Sequence, residues 1–417
     1  MTLMQSPFKV APFLIAFIVA ASFSCQKKET LVENTKGNET DSLLPPVETQ
    51  APNTDYEPAF MGQTRAPGIK TKTTYTVTKL ASGLESPWGL CNLPDGRMLV
   101  TEKKGILRIV TQSGAISAAI TGLPPVNSNG QGGLLDIAVD PNFATNRMVY
   151  WSFAKTGTNG TATAVAKGRL SDDETKIENA QVIYTAIPEF NSTLHYGSRL
   201  EWDGQGNLFV STGERSNLQS RPEAQKLDAA LGKVLRITTD GQAASGNPFI
   251  GQQNMLPEIY SYGHRNVQSL ARHPQTGDLW EAEMGPKGGD EVNLIAAGKD
   301  YGWPSISYGL EYSGGPIGPG ITQKAGMEQP IYYWDPSVSP SGMTFYTGGL
   351  ISEWKNNLFL GCLSGAHIVR LVIENNKIKA EERLLSDLNE RFRDVLEGMD
   401  GALYAITDSG LMYRIGL

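Results

Sequence analysis

The sequence has few cysteines, few histidines and little charge, and each scarcity excludes a class of protein. Only three of its 417 residues are cysteine and four are histidine, too few for a disulfide-stapled domain or a cysteine-rich zinc site. Charged residues make up 19% of the chain and the net charge is -7, so no basic surface for nucleic acid is expected. The motifs His-Glu-x-x-His, Gly-x-Ser-x-Gly and Gly-x-Gly-x-x-Gly are absent, which argues against a zinc-protease helix, a hydrolase elbow and a Rossmann nucleotide site.

The N-terminus contains a short apolar run, APFLIAFIVAASFS at residues 11–24. It is too short to span a bilayer and is typical of a signal-peptide core. Because it ends at SFSC, it resembles a bacterial lipoprotein signal, which predicts removal of residues 1–24 and lipidation of Cys25. Ser22 stands where such signals carry an aliphatic residue, so an ordinary signal peptide is the alternative. We expect export to the cell envelope, in the periplasm or at the outer membrane, with the lipid anchor as the only membrane contact.

Residues 25–72 are polar, contain prolines and have no apolar periodicity. This composition predicts a flexible, lipid-anchored tether. The other two cysteines, Cys91 and Cys362, lie in strand-like segments and are expected to be buried thiols. A long-range disulfide between them is the alternative.

Short strand-like runs recur along residues 73–417, each after a turn signal. The six instances are LPDGRMLVTE, DPNFATNRMVYWSF, WDGQGNLFVSTG, HPQTGDLWEAEMG, SEWKNNLFLGCL and GMDGALYAIT. They are spaced roughly 45 to 80 residues apart, the length of one propeller blade with its loops. We therefore predict that residues 73–417 form an all-β domain, a six-bladed β-propeller with four-stranded antiparallel blades. The segment TYTVTKL is expected to complete the last blade.

Two neighbouring motifs concentrate polar groups. YGHRNVQSL sets Arg265 and Asn266 side by side, and MGPKGGDEVNL follows shortly after it. The backbone carbonyls of a Gly-Pro turn and nearby carboxylates are oxygen ligands of the kind that Ca²⁺ prefers. The second motif therefore suggests a metal loop, and a solvated turn is the alternative.

A histidine and a pair of arginines are further candidates for chemistry. His195, in NSTLHYGSRLEWD, lies after a polar loop and just before a strand; a structural histidine is the commoner case. Arg391 and Arg393 are two residues apart, so both side chains face the same side of a strand. Two guanidinium groups suit a ligand with several carboxylates. The alternative is an outward face in which they pair with Glu390 and Asp394.

Seven ordered segments resemble one family. They are SPWGL…LPDGRMLVTE, GQGGLLDIAVDPNF, HYGSRLEWDGQGNLFVSTGE, YGHRNVQSLA, MGPKGGDEVNL…KDYGWP, PSVSPSGMTFY and RFRDVLEGMDGALYAITD. From about residue 80 to the C-terminus the chain is similar to the soluble quinoprotein glucose/sorbosone dehydrogenases, most closely to their aldose sugar dehydrogenase branch. The resemblance implies a propeller that holds pyrroloquinoline quinone (PQQ) and calcium at one mouth. The implied activity is oxidation of aldose sugars at C1 to the lactone, with electrons passed to a separate acceptor.

The resemblance also implies roles for individual residues. His195 would be the general base, and Arg265 would meet the negative charge that grows on the cofactor. The expected PQQ contacts are Gln131, Arg265, Asn266, Trp334, Arg391 and Arg393, with Trp334 lying against the quinone ring. The expected calcium ligands are Gly285 and Pro286 for the cofactor-bound ion, and Glu291 and Tyr301 for a second, structural ion.

The sequence differs from the family at one position near the quinone, and two other functions are alternatives. Many relatives carry a lysine near the quinone where this chain has Ser364. A non-catalytic propeller that binds a sugar or a protein partner would share the fold, since propellers host unrelated functions. A calcium-dependent lactonase would share the metal loop. Neither rival needs two arginines for a tricarboxylate, so the pair Arg391 and Arg393 distinguishes them from a quinoprotein.

Overall fold

The computed structural model describes residues 30–32 and 43–417. The strands are β1 Thr30–Val32, β2 Thr76–Ser82, β3 Pro87–Asn92, β4 Met98–Glu102, β5 Ile106–Val110, β6 Leu134–Val139, β7 Met148–Thr156, β8 Thr161–Leu170, β9 Ile177–Thr185, β10 Leu200–Trp202, β11 Leu208–Ser211, β12 Lys233–Ile237, β13 Ile259–Tyr262, β14 Val267–Arg272, β15 Leu279–Glu283, β16 Asp290–Ile295, β17 Tyr332–Trp334, β18 Pro340–Phe345, β19 Leu358–Cys362, β20 Ile368–Glu374, β21 Lys377–Leu384, β22 Phe392–Glu397, β23 Leu403–Thr407 and β24 Leu411–Gly416. The helical segments are one α-helix and three short 3₁₀-helices: α1 Phe143–Asn146, Arg221–Gln225, Ser352–Trp354 and Ser386–Leu388.

The strands form six antiparallel sheets, which confirms the predicted six-bladed propeller. Four sheets follow chain order: β6 to β9, β10 to β13, β14 to β17 and β18 to β21. The sheet β3-β4-β5 has three strands, and bridges from Leu107 to Ile120 and from Val110 to Ile116 extend its outer edge. The inner strands β3, β6, β10, β14, β18 and β22 contact one another in turn, and β22 contacts β3. The ring therefore closes around a central axis.

The last blade joins both ends of the described chain, as the segment TYTVTKL predicts. Its strand order is β1-β2-β24-β23-β22, so the N-terminal strand β2 pairs with the C-terminal strand β24. Such a shared sheet ties the first and last blades together, since opening the ring would break a ladder of backbone hydrogen bonds. Apolar side chains fill the spaces between successive blades, for example Trp280, Leu360 and Val369, which are fully buried.

A buried ionic group closes the central channel. Arg199 donates through Nη1 to Asp136 Oδ1 at 2.9 Å and to Asp394 Oδ2 at 2.8 Å. The three residues lie on or beside inner strands of three different blades, and their side chains are at most 7% exposed. Asp394 is therefore a partner of Arg199 in the channel, which decides against the alternative that it pairs with Arg391 and Arg393 on an outward face.

The segment before the propeller differs from the tether predicted over residues 25–72. Within its described part, Asn53 and Thr54 donate backbone N–H groups to Asp335 at 2.9 to 3.0 Å. Thr71 donates both its N–H and its hydroxyl to Glu382. Polar contacts to carboxylates far along the chain thus hold residues 43–72 on the propeller. Because these contacts use polar groups, they produce no apolar periodicity in the sequence. The signal peptide and Cys25 lie outside the described residues.

The remaining cysteines are unpaired. Cys91 and Cys362 are free thiols, and burial raises the pKa of both. This decides against the alternative of a disulfide between them. Within the described residues, no helix reaches the length and apolar character that a membrane crossing requires.

Candidate active site

A cavity of about 310 Å³ lies where the inner strands begin. Its wall includes residues from the loops that enter β6, β10, β14, β18 and β22, and Trp88 and Lys103 add the first blade, so all six blades contribute to it. It brings together seven predicted site residues: Gln131, His195, Arg265, Gly285, Pro286, Arg391 and Arg393. A second cavity, of about 320 Å³, lies at the other ends of the same strands. The two cavities are therefore at opposite mouths of the channel that Arg199 closes.

The charge of the first cavity is one-sided. Its wall contains four cationic side chains, from Lys103, Arg265, Arg391 and Arg393, and no aspartate or glutamate of the described residues lines it. The whole chain has a net charge of -7. A local excess of positive charge in an acidic protein indicates an anionic ligand, because isolated like charges repel unless a ligand neutralises them.

His195 lies in the cavity wall and is oriented by a carboxylate. Its Nδ1 is 2.7 Å from Glu214 Oε1, and its own backbone N–H donates to Gln131 Oε1 at 2.8 Å. Because an ionised carboxylate only accepts, Nδ1 carries the proton and Nε2 keeps its lone pair. Burial, and next the positive charge of Arg265, lower the pKa of His195 to about 4, although Glu214 acts in the opposite direction. The imidazole is therefore neutral at physiological pH and can accept a proton.

Gln131 and Asn266 support this histidine from two sides. The Gln131 amide oxygen holds the His195 backbone, which places Gln131 in the wall as a positioning group. Asn266 is fully buried, and its Oδ1 accepts the Gly197 N–H at 3.0 Å. The Asn266 Nδ2 has no hydrogen-bond partner within the described part of the chain. Asn266 thus lies immediately behind the wall rather than on it.

Arg265 is fixed by the loop that follows β15. Its Nη1 donates to the carbonyl oxygens of Met284 at 2.7 Å and Gly285 at 3.0 Å. Its backbone N–H and that of Asn266 both donate to Glu283 Oε2. These bonds hold the guanidinium beside the Gly-Pro turn, so the cationic motif and the predicted metal loop meet at one edge of the cavity.

Asp290 shapes the Gly285–Pro286 turn. Asp290 Oδ1 accepts the Gly285 N–H at 2.8 Å, while Oδ2 accepts the N–H groups of Val338 and Ser339 at 2.7 and 2.6 Å. Burial raises the pKa of Asp290 to about 6. Because its oxygens already accept these backbone N–H groups, Asp290 ties the turn to the next blade and leaves ligation to the turn's carbonyl groups.

The two arginines of RFRDV face the same side, as their spacing predicts. The Nε atoms of Arg391 and Arg393 each lie 2.9 Å from Asp408, which bridges them. Their acidic partner is thus Asp408, where the sequence alternative named Glu390 and Asp394. Arg393 also lies 6.0 Å from the ring centre of Trp88, which lines the cavity. Since Asp408 engages the Nε edges, terminal nitrogens of both side chains can bind a ligand.

Trp334 is not brought to the cavity. Its side chain is 2% exposed, packs edge-on against Tyr332 and donates its indole N–H to Glu381 Oε2 at 3.1 Å. The expectation that Trp334 lies against a cofactor ring is therefore corrected, since its indole belongs to the core between two blades. The aromatic side chains that do line the cavity are those of Trp88 and Tyr312.

Glu291 and Tyr301 lie in the same blade but outside the cavity. In the ladder between β15 and β16, Glu291 is opposite Glu283. The Tyr301 hydroxyl donates to the Leu294 carbonyl and accepts the Ala296 N–H. Because that phenol oxygen is already engaged, a metal at Tyr301 would have to use its backbone carbonyl.

Several functional residues escaped the sequence reasoning. Glu214 follows β11 in STGERS, and Asp408 follows β23 in AITDSG. The available signal was an acidic residue shortly after the second strand of a blade. Lys103 adds a cation to the wall from the first blade, and its Nζ donates to the Gly130 carbonyl. Ser364 shares a hydrogen bond of 2.7 Å with Ser339, a wall residue. The cavity therefore draws its fourth cation from a position unrelated to Ser364.

Comparison with known proteins gives a consistent result. A sequence profile described as glucose/sorbosone dehydrogenase matches residues 84–414. The chain is 40% identical over 347 residues to aldose sugar dehydrogenase YliI of Escherichia coli K12, covering 82% of this chain and 93% of that protein. The apo-form structure of the soluble aldose sugar dehydrogenase from Escherichia coli matches with a TM-score of 0.78 and 40% identity. The match covers 82% of this chain and 99% of that chain. The structure of the PQQ-bound form of the aldose sugar dehydrogenase from Streptomyces coelicolor matches with a TM-score of 0.68 and 27% identity. The match covers 83% of this chain and 100% of that chain.

Proposed function

The chain belongs to the glucose/sorbosone dehydrogenase family, and we propose that it is a PQQ- and calcium-dependent dehydrogenase of aldose sugars. The proposed reaction oxidises the sugar at C1 to the lactone and passes the electrons to a separate acceptor. The observation that carries the proposal is the cationic cavity, which has His195 in its wall. A neutral, buried imidazole beside four cationic side chains suits a site that binds an anionic cofactor and removes a proton.

The residues present fit PQQ. Its three carboxylates require positive partners, and the bridged pair Arg391 and Arg393 presents two guanidinium groups from the start of β22. Lys103 and Arg265 stand on other blades, so the charge is distributed around the cavity. The polar wall residues Gln131 and Gln268 supply additional hydrogen-bonding groups.

The residues present also fit one calcium ion in the cavity. Gly285 and Pro286 lie in the wall, and their carbonyl groups are neutral oxygen ligands. Ca²⁺ takes six to eight oxygens, so two carbonyls hold it only when an anionic ligand supplies further oxygens. That requirement suits a cofactor-bound ion. For a second, structural calcium we retain Glu291 and the backbone carbonyl of Tyr301.

Proton removal falls to His195. When bound, PQQ would accept the hydride and calcium would act as a Lewis acid on it. His195 accepts the proton of the anomeric hydroxyl at Nε2, while Glu214 holds Nδ1 and stabilises the imidazolium that results. Arg265, fixed by the Met284 and Gly285 carbonyls, supplies positive charge beside the reacting centre. The lactonase and binding-module alternatives have no use for the paired arginines.

The proposed location follows from the N-terminal sequence. We propose export through the apolar run at residues 11–24 and a lipid anchor at Cys25, in the periplasm or at the outer membrane.

Reconstitution tests the proposal. Purified protein titrated with PQQ in excess Ca²⁺ should show the absorption of a bound quinone, and an aldose should bleach it. His195→Asn is the control, because it should bind PQQ yet bleach far more slowly. Failure of the wild-type protein to bind PQQ, or binding without bleaching by any aldose, would reject the proposed function.

A further inference from the structure

Three ionisable side chains are buried together behind Arg265, outside the cavity wall. They are His264, Glu281 and Glu283, whose side chains are 0%, 0% and 5% exposed. His264 Nδ1 is 3.8 Å from Glu281 Oε1 and 3.6 Å from Glu283 Oε1. One ligand atom from each residue lies within 4.8 Å of the others.

Polar atoms in this cluster lack partners. His264 Nε2 shares a hydrogen bond of 2.8 Å with the Ser261 hydroxyl, which turns Nδ1 towards the two glutamates. Within the described residues, His264 Nδ1, Glu281 Oε2 and the amide oxygen of neighbouring Asn293 have no hydrogen-bond partner. Buried polar atoms are normally satisfied, so three orphaned atoms at one place indicate a missing ligand.

The charge of the cluster points to a cation. In the β15–β16 ladder Glu281 is opposite Asn293 and Glu283 is opposite Glu291, which sets three glutamates on one side of the sheet. A neutral imidazole cannot compensate three carboxylates, whereas a divalent ion leaves only one negative charge uncompensated.

The distances within the cluster also suit an ion. Separations of 3.6 and 3.8 Å exceed the roughly 3.2 Å limit of a good N–H···O hydrogen bond. Two ligands with bonds of about 2.0 to 2.4 Å to one ion lie roughly 3.3 to 3.9 Å apart. The side chains are therefore spaced as ligands of a shared cation.

We propose that His264, Glu281 and Glu283 bind a divalent transition-metal ion of the zinc class. The imidazole nitrogen favours such an ion over calcium, which prefers oxygen ligands alone. The site uses other side chains than the proposed calcium ligands, although it borders one pair of them: the His264 ring stacks on Tyr301 at 4.8 Å and Glu283 is opposite Glu291. It does not depend on PQQ.

The ion would stabilise one wall of the active site. Glu283 uses Oε2 to accept the backbone N–H groups of Arg265 and Asn266, which leaves Oε1 for the metal. A metal bond at Oε1 would fix Glu283 and, through it, the segment that carries Arg265. His264, Glu281 and Glu283 act here as positioning residues, because none of them lines the cavity.

Metal retention in PQQ-free protein tests the site. Full-length protein stripped with a strong chelator, exposed to Zn²⁺ or Ca²⁺ and then gel-filtered should retain one equivalent of Zn²⁺ by elemental analysis. Zn²⁺ should also raise the melting temperature of the wild-type protein. Glu281→Gln should lose both effects. Glu201→Gln is the matched control: burial raises the pKa of Glu201 to about 8, it lies at the opposite mouth, and its variant should retain Zn²⁺ normally.

Two readouts separate ligation from a merely structural role. Without metal, Glu281→Gln should melt at or above the wild-type temperature, because it removes one of several crowded buried carboxylates. Co²⁺ bound to the wild-type protein should give the visible bands of a site with nitrogen and oxygen ligands, a result that needs no variant. Retention of Ca²⁺ but not Zn²⁺, a Co²⁺ spectrum like that of the free ion, or unchanged Zn²⁺ retention by Glu281→Gln would each overturn the proposal.

Discussion

Replacing Arg393 is expected to weaken PQQ binding far more than replacing Arg391. The Arg393 side chain is 14% exposed, whereas that of Arg391 is 53% exposed. A charge-assisted hydrogen bond shielded from water contributes about 1.5 to 3 kcal/mol, while an exposed ion pair contributes roughly 0.2 to 1 kcal/mol. Arg393→Ala should therefore raise the Kd by about 10- to 150-fold and Arg391→Ala by about 1.5- to 5-fold.

The lysine variant refines this prediction. Asp408 bridges the two Nε atoms and so sets the direction of both guanidinium groups. Lysine at position 393 keeps the charge but loses both this bridge and the forked geometry. Arg393→Lys should accordingly recover only part of the affinity that Arg393→Ala loses.

Tryptophan fluorescence offers a direct assay, because Trp88 lies in the cavity beside Arg393. PQQ would be titrated into each variant at saturating Ca²⁺ and the quenching fitted to a Kd. Arg414→Ala is a suitable control, since Arg414 lies in the same sheet but pairs with Asp400 away from the cavity. Equal losses at positions 391 and 393, or a larger loss at 391, would refute the reasoning from burial.

Four further perturbations test the rest of the site and the ionic group in the channel. His195→Asn should lower turnover by roughly 10²- to 10⁴-fold at nearly unchanged PQQ affinity; in steady-state assays, near-normal turnover would remove His195 as the base. NMR titration of the apo protein should give His195 a pKa of about 4, and Glu214→Gln should lower it further because Glu214 raises it; an upward shift would contradict the assigned pairing. Chelation of calcium should abolish PQQ binding, and added Ca²⁺ should restore it; undiminished binding in chelator would exclude the proposed ion. Arg199→Leu should destabilise the fold by about 3 to 5 kcal/mol in denaturant titration, because Asp136 and Asp394 would remain buried and unpaired; a loss below about 1 kcal/mol would argue against that ionic group.

The contacts that residues 43–72 make with the propeller show what composition alone does not predict. That segment is polar and aperiodic, and composition alone describes such a chain as flexible. Its order comes from single contacts to carboxylates far along the sequence, such as Asn53 to Asp335, 282 residues away. No local pattern can report a contact of that range.

Trp334 illustrates a related limit. A position beside a matched segment can be aligned correctly while the direction of its side chain depends on neighbours in another blade. Here the Trp334 indole N–H donates to Glu381 from the next blade. The indole ring packs in the core between the two blades. Trp88, from the first blade, lies in the cavity wall.

The sequence by itself determined the number of blades and the closing strand. Both depend on short-range rules: a repeat of fixed length and a turn before each strand. Only the tertiary structure decided that Glu214 orients His195, that Asp408 bridges the arginines, and that His264 meets two glutamates. Those pairings join different strands and blades, and their geometry exists only after the ring has closed.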